Sequence, residues 1–375
     1  MRRTVPLAMK AASTKVGIIG SGQLGWMMIV EGRRLGNTYY TLADDAGPAT
    51  RVGDGVFSVS DYRKFVDKCD VVTPEFEHVD QTALRYASRE GKLFPPLGAL
   101  NLKIDRSLEK AFLQDHGFPI AGFRVARNRR EAIRLARGRG RAVIKGTHGG
   151  YDGKTQCYFG VEGKGFPELP TSGRFVVEDY VDYDVEASII ASRDRDGRML
   201  FHQPTFNRNE GGILLSNEAP CPDHGMRRIA SRLMDALDYV GVLAVEFFIV
   251  NGRPLVNEFA PRVHNSGHHT LHGSSISQFE QHLRVITGLP VPEPVLFRSS
   301  GIVNAVGIDI GRRLREELLS IPETHVYSYG KRVLRRRRKM GHVNITAPNR
   351  RTLRERTSQV ADLLYDKDPV AFLEA

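Results

Sequence analysis

The stretch Gly241–Ala260, GVLAVEFFIVNGRPLVNEFA, constrains the fold more than any other part of the chain. Two apolar runs flank Asn251-Gly252, a dipeptide that accepts the positive φ angles of a tight turn, so the segment reads as an antiparallel hairpin. It carries Glu246 and Glu258 on otherwise apolar strands. A two-residue turn pairs Glu246 with Asn257, and a four-residue loop pairs Phe247 with Glu258. In either register the two carboxylates lie within about one residue of each other across the ladder. Such a pair repels unless a cation sits between its members. Mg2+ suits the position, because it takes one or two carboxylates and completes its shell with water and substrate phosphates. The plainer alternative is two carboxylates at a sheet edge, pointing into water.

At the other end of the chain, KVGIIG (15–20) is an apolar strand running into Gly20-Ser21-Gly22-Gln23-Leu24-Gly25. The helical pattern WMMIVEGRRLG and a second strand, YYTLADD, follow. Strand, glycine turn, helix, strand opens a doubly wound α/β unit. The glycine spacing matches the dinucleotide fingerprint, and Asp44 or Asp45 follows about 20 residues on, where a ribose-binding acid belongs. An NAD-linked oxidoreductase is therefore one reading. The physics is wider, since any phosphate or carboxylate can use amides at a helix N-terminus. CDVVTPEFEHV reads as a later strand of the same unit, and FPPLGAL (94–100) closes it with two prolines and a glycine.

Residues 101–123 look helical, followed by the helix REAIRLARG and the strand AVIKG, which carries Lys145. The loop HGGYDGKTQ comes next. A lysine leaving a strand beside a glycine-rich, cation-bearing loop suits nucleotide phosphates, although the spacing is not that of a P-loop. VVEDYV and VEASIIAS are strand patterns. After the hairpin, Pro261-Arg262-Val263-His264-Asn265-Ser266-Gly267-His268 combines an Arg fork, which matches a planar carboxylate or carbonate, with a His able to move protons near neutrality. The i, i+4 spacing of His264 and His268 superficially suits zinc, but Ser266-Gly267 argues against a regular helix and no HExxH pattern exists. The helix SISQFEQHLRVITG leads to the break LPVPEP, and the last 80 or so residues read as a smaller β-rich unit with a final helix.

The net charge is +11 and Arg335–Lys339 reads RRRRK, features that invite a nucleic-acid partner. Anionic metabolites ask for cations too, and no aromatic-interleaved basic motif accompanies the run, so nucleic acid is set aside. Hydrophobic residues at 41% and charged residues at 26% are the balance of a soluble globular protein, and no apolar run approaches bilayer length. The basic segment 1–14 reads as a flexible leader. Cys69, Cys157 and Cys221, far apart, suggest neither disulfides nor a metal framework and fit a reducing, cytoplasmic setting.

Taken in order, GSGQLG, TPEFEHV, IDRSLEKAFL, GGYDGKTQ, GVLAVEFF, VNEFAPRVHNSGHHT, SQFEQHLRVITGLP and RKMGHVN resemble the N5-carboxyaminoimidazole ribonucleotide synthetases, bicarbonate-dependent ATP-grasp ligases of purine synthesis. The likeness runs from about Lys15 to at least Asn344. It implies an ATP-grasp fold of class α/β: a Rossmann-like N-terminal domain (15–98), an ATP-grasp domain (99–290) whose mobile lid spans about 124–181, and a small β-rich C-terminal domain (291–375). It implies a cytoplasmic homodimer whose substrates are ATP, bicarbonate and aminoimidazole ribonucleotide, with Mg2+ as cofactor. Arg106, Lys145, the loop Gly150, Tyr151, Asp152, Gly153, Lys154, Thr155 and Gln156, the linker Glu178, Asp179, Tyr180 and Val181, and Glu186 would hold ATP, with Asn209, Asn257 and Glu258 beside it. Glu246 and Glu258 would bind the metal. Gln23, Glu75, Tyr151 and Asp152 would face the ribonucleotide, whose phosphate would be gripped by Lys331 or Arg332 with Arg338. Arg262 and His264, with Asn265 and Lys154, would handle bicarbonate and carboxyphosphate.

Three departures stand out: Thr155 where such lids carry Gly, Asn209 where a His is common, and Arg336-Arg337 where Pro-Gly precedes RKMGH. A related ligase using formate or another amine shares the layout, but PRVHNSGH favours the bicarbonate branch.

Overall fold

A computed structural model describes residues 13–149, 156–162, 169–170 and 172–366. Among them, the strands form three sheets. The first is all-parallel: β1 (Lys15–Ile19), β2 (Thr38–Leu42), β3 (Gly55–Phe57) and β4 (Val71–Pro74) in the order β3-β2-β1-β4. Helices α1 (Gln23–Gly32), α2 (Tyr62–Lys68) and α3 (Gln81–Arg89) connect these strands or follow them. The expected strand through TPEFEHV stops at Pro74, and Glu75–Val79 form a loop outside the carboxyl ends of β1 and β4. Ligands of such sheets bind at those ends.

The helical stretch expected over 101–123 is two helices, α4 (Leu97–Ile104) and α5 (Arg106–Asp115). They break at Asp105, whose carboxylate caps α5 by accepting from the Ser107 N–H at 2.8 Å. A second sheet follows, wholly antiparallel: β5 (Phe123–Ala126), β6 (Ala142–Gly146), β7 (Gln156–Phe159) and β8 (Phe175–Asp179) in the order β5-β8-β6-β7. Helix α6 (Arg129–Arg139), capped by Asn128, covers it. The strand pattern VVEDYV ends at Asp179, so Tyr180 and Val181 are connecting backbone.

The third sheet has nine strands. β9 (Val185–Arg193), β10 (Met199–Phe201), β11 (Thr205–Glu210), β12 (Ile213–Ala219), β13 (Gly241–Val250), β14 (Arg253–Ala260), β15 (Ser299–Val306), β16 (Thr324–Ser328) and β17 (Lys339–Ala347) follow the path β14-β13-β9-β11-β12-β15-β17-β16, with β10 on β9. Helices α7 (Met226–Ala236), α8 (Thr270–Gly273), α9 (Gln278–Thr287), α10 (Arg312–Ser320) and α11 (Arg350–Tyr365) flank it. The strands of the C-terminal segment do not make a sheet of their own: β15 pairs with β12 from Ser216↔Val303 to Ala219↔Ser300. Their separate core, Val303, Val343, Ile345, Leu353 and Val360, packs beneath α11. The first unit is anchored by α1 on α9, with Met28, Ile29, Phe279 and Leu283 in one buried cluster. Cys69, Cys157 and Cys221 are buried. No described helix is long and apolar enough to cross a membrane.

Candidate active site

The glycine turn after β1 already holds an anion. Glu75, at the end of β4, accepts from the amide of Gly25 at 2.9 Å through Oε2 and from the amide of Gly22 through Oε1. A Cβ on Gly20 or Gly22 would meet the Glu75 side chain at 2.5 or 2.7 Å, so these glycines make room for a carboxylate of this same chain. Asp45 accepts from Ser21 Oγ at 2.7 Å and Asp44 from Ser58 Oγ at 2.7 Å, so both acids are engaged in local turns. The amides that would cradle a dinucleotide pyrophosphate are taken, which removes the basis of the NAD reading. Glu75 is 8% exposed, and burial raises its pKa against the pull of the two amides and of nearby Lys331 and Arg262. Gln23 opens α1 immediately beyond this nest.

A buried cationic cluster lies on the nucleotide side. Lys145, on β6, reaches Glu178 Oε2 on β8 at 3.2 Å, and Lys110, on α5, approaches the same oxygen at 3.4 Å. Arg106 joins them from the start of α5, bound to Gly146 O at 2.6 Å. Burial alone would raise the Glu178 pKa, but the three cations outweigh it and hold it at about 2. Three cations around one carboxylate leave a positive excess in a dry site, the setting that suits phosphate oxygens. Next along the chain, Asp179 bonds Arg139 at 2.7 Å, the Arg141 guanidinium lies over the Tyr180 ring, and Val181 is half-buried. Glu186, on β9, accepts from Tyr183 Oη at 2.7 Å and from Asn209 Nδ2 on β11. Gln156 opens β7 opposite Lys145. Gly150, Tyr151, Asp152, Gly153, Lys154 and Thr155 lie outside the described residues.

Neither register expected for the hairpin is the one found. The turn is the two-residue Asn251-Gly252, but a β-bulge between Glu246 and Phe247 skips Asn257, so Glu246 pairs directly with Glu258. The extra residue brings both carboxylates to one point on one face. Lys103, on α4, stands 2.7 Å from Glu109 and 3.5 Å from Glu258, and Glu109 accepts from the Phe259 N–H at 3.0 Å. Burial and the neighbouring Glu258 push Glu246 up to about 8, while Lys103 and Arg106 offset burial and hold Glu258 low. Two carboxylates held this close raise the cost of charging both, a cost that a cation between them would relieve. The skipped Asn257 turns its carbonyl to Lys110 Nζ at 2.9 Å. Among the described residues no group of three or more acidic, His or Cys side chains converges, so a metal here would share its shell with ligand oxygens.

Arg262 forks onto Glu77 at 2.6 and 3.2 Å, a buried pair that turns the guanidinium toward the loop after β4. His264 Nδ1 lies 3.0 Å from Ser266 Oγ and 3.5 Å from Glu246. Burial, then Arg262 and Lys339, push its pKa down to about 3, which favours the neutral imidazole. Gln278 clamps it by accepting from its amide at 2.9 Å and donating to its carbonyl at 2.6 Å. Asn265 and Asn304 exchange two amide hydrogen bonds, at 2.7 and 3.0 Å. In the C-terminal segment, Lys331 donates to Lys339 O at 2.7 Å and lies near Glu75, whereas Arg332 is exposed and Arg338 bonds Val333 O at 3.0 Å.

Sequence reasoning missed Glu77, Lys103, Glu109, Lys110 and Gln278. A signal existed in RSLEK, where Arg106 and Lys110 stand four residues apart on one helix.

Known proteins match this arrangement along nearly its whole length. The descriptions "Ribonucleotide synthetase preATP-grasp domain", "ATP-grasp domain" and "Phosphoribosylaminoimidazole carboxylase C-terminal domain" match residues 13–103, 111–279 and 300–356. The N5-carboxyaminoimidazole ribonucleotide synthase of Saccharolobus solfataricus is 45% identical over 94% of this chain and 96% of its own. The crystal structure of the phosphoribosylaminoimidazole carboxylase ATPase subunit from Aquifex aeolicus is 40% identical with a TM-score of 0.82, covering 93% of this chain and 99% of that one. A synthase from Aspergillus clavatus, solved with ADP and the aminoimidazole ribonucleotide, is 27% identical with a TM-score of 0.82 over 94% and 98%. The chain therefore belongs to the N5-carboxyaminoimidazole ribonucleotide synthase family.

Proposed function

We propose that the chain carboxylates 5-aminoimidazole ribonucleotide at its exocyclic amine, using ATP and bicarbonate and releasing ADP and phosphate. The observation that carries this reading is the directly opposed Glu246 and Glu258 beside the excess cations of Lys110, Lys145 and Arg106. Glu246 and Glu258 would hold Mg2+, which supplies charge neutralisation on the transferring phosphate. Lys145, Arg106 and the Gly150–Gln156 loop hold the phosphates of ATP, and Glu186, steadied by Tyr183 and Asn209, takes the ribose. Glu178, Asp179, Tyr180 and Val181 line the base side.

In the first step a bicarbonate oxygen attacks the γ-phosphorus, the bond to the β-phosphate oxygen breaks, and ADP leaves with the electron pair. In the second, the amine nitrogen attacks the carboxyl carbon of carboxyphosphate, or of the CO2 it releases. The carbon–oxygen bond to phosphate breaks and the amine gives up a proton. Arg262 and neutral His264 position the bicarbonate, with Asn265 and Lys154. Glu75, Gln23, Tyr151 and Asp152 face the ribonucleotide, and Lys331, with Arg338, grips its phosphate. The protein chiefly positions reactants and supplies fixed charge. Closure of the 124–181 segment would keep water from carboxyphosphate. The domain limits of 15–98, 99–290 and 291–375, a cytoplasmic setting and a homodimer belong to the same reading.

The test is an ADP-release assay with Mg-ATP and bicarbonate, run with and without the ribonucleotide. Release that rises with both bicarbonate and ribonucleotide is expected. Stimulation by formate in place of bicarbonate, or by neither, overturns the reading.

A further inference from the structure

The basic run of the C-terminal segment reaches the hairpin that carries Asn209. The run Arg335–Arg338 folds into a turn, Arg338 N bonding Arg335 O at 3.0 Å, and the turn is seated on Gly307, whose amide donates to Arg338 O at 2.8 Å. From it the guanidinium of Arg337 crosses to the tip of the β11–β12 hairpin and donates to Gly211 O at 2.5 Å. That tip is thinly supported. β9 pairs with β11 only over Thr205–Asn207, and β15 pairs with β12 only over Ser216–Ala219, so residues 208–212 lie beyond both ladders. A bulge at Arg208/Asn209 and the positive φ angles of Gly211 (+56°) and Gly212 (+78°) add freedom. Besides the ladder itself, Asn304 fixes the Leu214 carbonyl at 2.8 Å, Ile213 is buried in the C-terminal core, and Arg337 holds the turn. Asn209, two residues before Gly211, in turn donates to Glu186. A continuous path therefore runs from the C-terminal basic run, through Gly211 and Asn209, to Glu186.

We propose that Arg337 is a positioning residue for the nucleotide site: it fixes the hairpin tip so that Asn209 holds Glu186 in place for ATP. This rests on the reading above that Glu186 receives the ribose. The consequence is coupling. Because Arg337 sits beside Arg338 and six residues from Lys331, ordering of that run by a ribonucleotide phosphate also orders the tip, and ATP should bind more tightly when the ribonucleotide is present.

The experiment is steady-state ADP release with each substrate varied in turn, and calorimetric ATP binding with and without ribonucleotide, on the full chain and its R337A, R337K, N209A, R337A/N209A and E186A variants. Loss of a partly exposed charge-assisted hydrogen bond predicts an ATP KM raised about threefold to tenfold in R337A. kcat and the bicarbonate KM should change less than about twofold, R337K should recover most of the loss, and the ribonucleotide should no longer tighten ATP. N209A should cost a similar factor and the double variant little more, because both act on one path. An unchanged ATP KM in R337A overturns the proposal if E186A does raise that KM. A rise confined to the ribonucleotide KM makes Arg337 a phosphate contact and overturns it as well. An unchanged ATP KM in E186A removes the ribose assignment itself, whatever Arg337 does.

Discussion

Lowering the pH from 8 to 5.5 should destabilise this protein sharply, and the cause can be traced to four imidazoles. His202, His269, His282 and His342 are buried, and burial pushes their pKa values down to about 3, 4, 4 and 3. The hydrogen bonds explain why a second proton has no place. His282 accepts from the Val242 N–H at Nδ1 (3.1 Å), which leaves Nε2–H to donate to Thr73 Oγ1 at 2.9 Å. Protonating Nδ1 would set two N–H groups against each other. In His202, His269 and His342 one ring nitrogen is bonded, to Gln281, Ser266 O and Tyr329 Oη respectively, while the other is buried without an acceptor. Each imidazole therefore stays neutral in the fold but titrates near 6.5 in the unfolded chain. The unfolded state binds more protons throughout the interval between, so stability is complete above pH 6.5 and falls as the pH drops toward 4. At pH 5.5 each contributes a loss of about 1.4 kcal/mol, and the four together about 5–6 kcal/mol as an upper value. That is a large part of the roughly 5–15 kcal/mol a protein of this kind holds. Urea unfolding followed by tryptophan fluorescence and far-UV circular dichroism at pH 8, 7, 6 and 5.5 checks it. The midpoint should stay level from 8 to 7 and then fall with growing slope. A midpoint that holds constant down to pH 5.5 would refute the reasoning, because the rings would then have to be reaching water or acceptors absent from this structure.

Two further substitutions test the site. Glu258→Gln should abolish Mg2+-dependent ATP turnover while shifting the melting temperature by only a few degrees, since it removes half of an opposed carboxylate pair and no core volume; turnover near the parent level would remove the metal assignment. Glu77→Gln should cost about 3–5 kcal/mol, the usual result of stranding one member of a buried ion pair, here Arg262. A loss below about 1 kcal/mol in urea unfolding would mean that the pair is open to solvent.

The hairpin was legible because an Asn-Gly turn between apolar runs has one economical solution. The register of its carboxylates was not, because the bulge that skips Asn257 is set by packing against β9 and by Lys110 holding the Asn257 carbonyl, partners distant in sequence. The glycine nest was read correctly as an anion site but not as one filled from within. The filling residue, Glu75, lies beyond a strand end whose position depends on how β4 pairs with β1. The basic composition pointed outward to anionic ligands, yet several of the cations that matter, Lys103, Lys110 and Arg262, are turned inward onto Glu109, Glu178 and Glu77.

The seam between β12 and β15 has a mechanical meaning. Four residue pairs, Ser216↔Val303 to Ala219↔Ser300, stitch the C-terminal strands into the central sheet, so the two cannot swing apart without tearing a ladder. Among the described residues the sheet β5-β8-β6-β7 shares no ladder with its neighbour. The segment carrying Lys331 and Arg338 is thereby tied to the central sheet, whereas Lys145 stands on the separate one. Amides along the seam should then be among the slowest to exchange with solvent, whether or not nucleotide is bound, while those of β6 and β8 should slow when it binds.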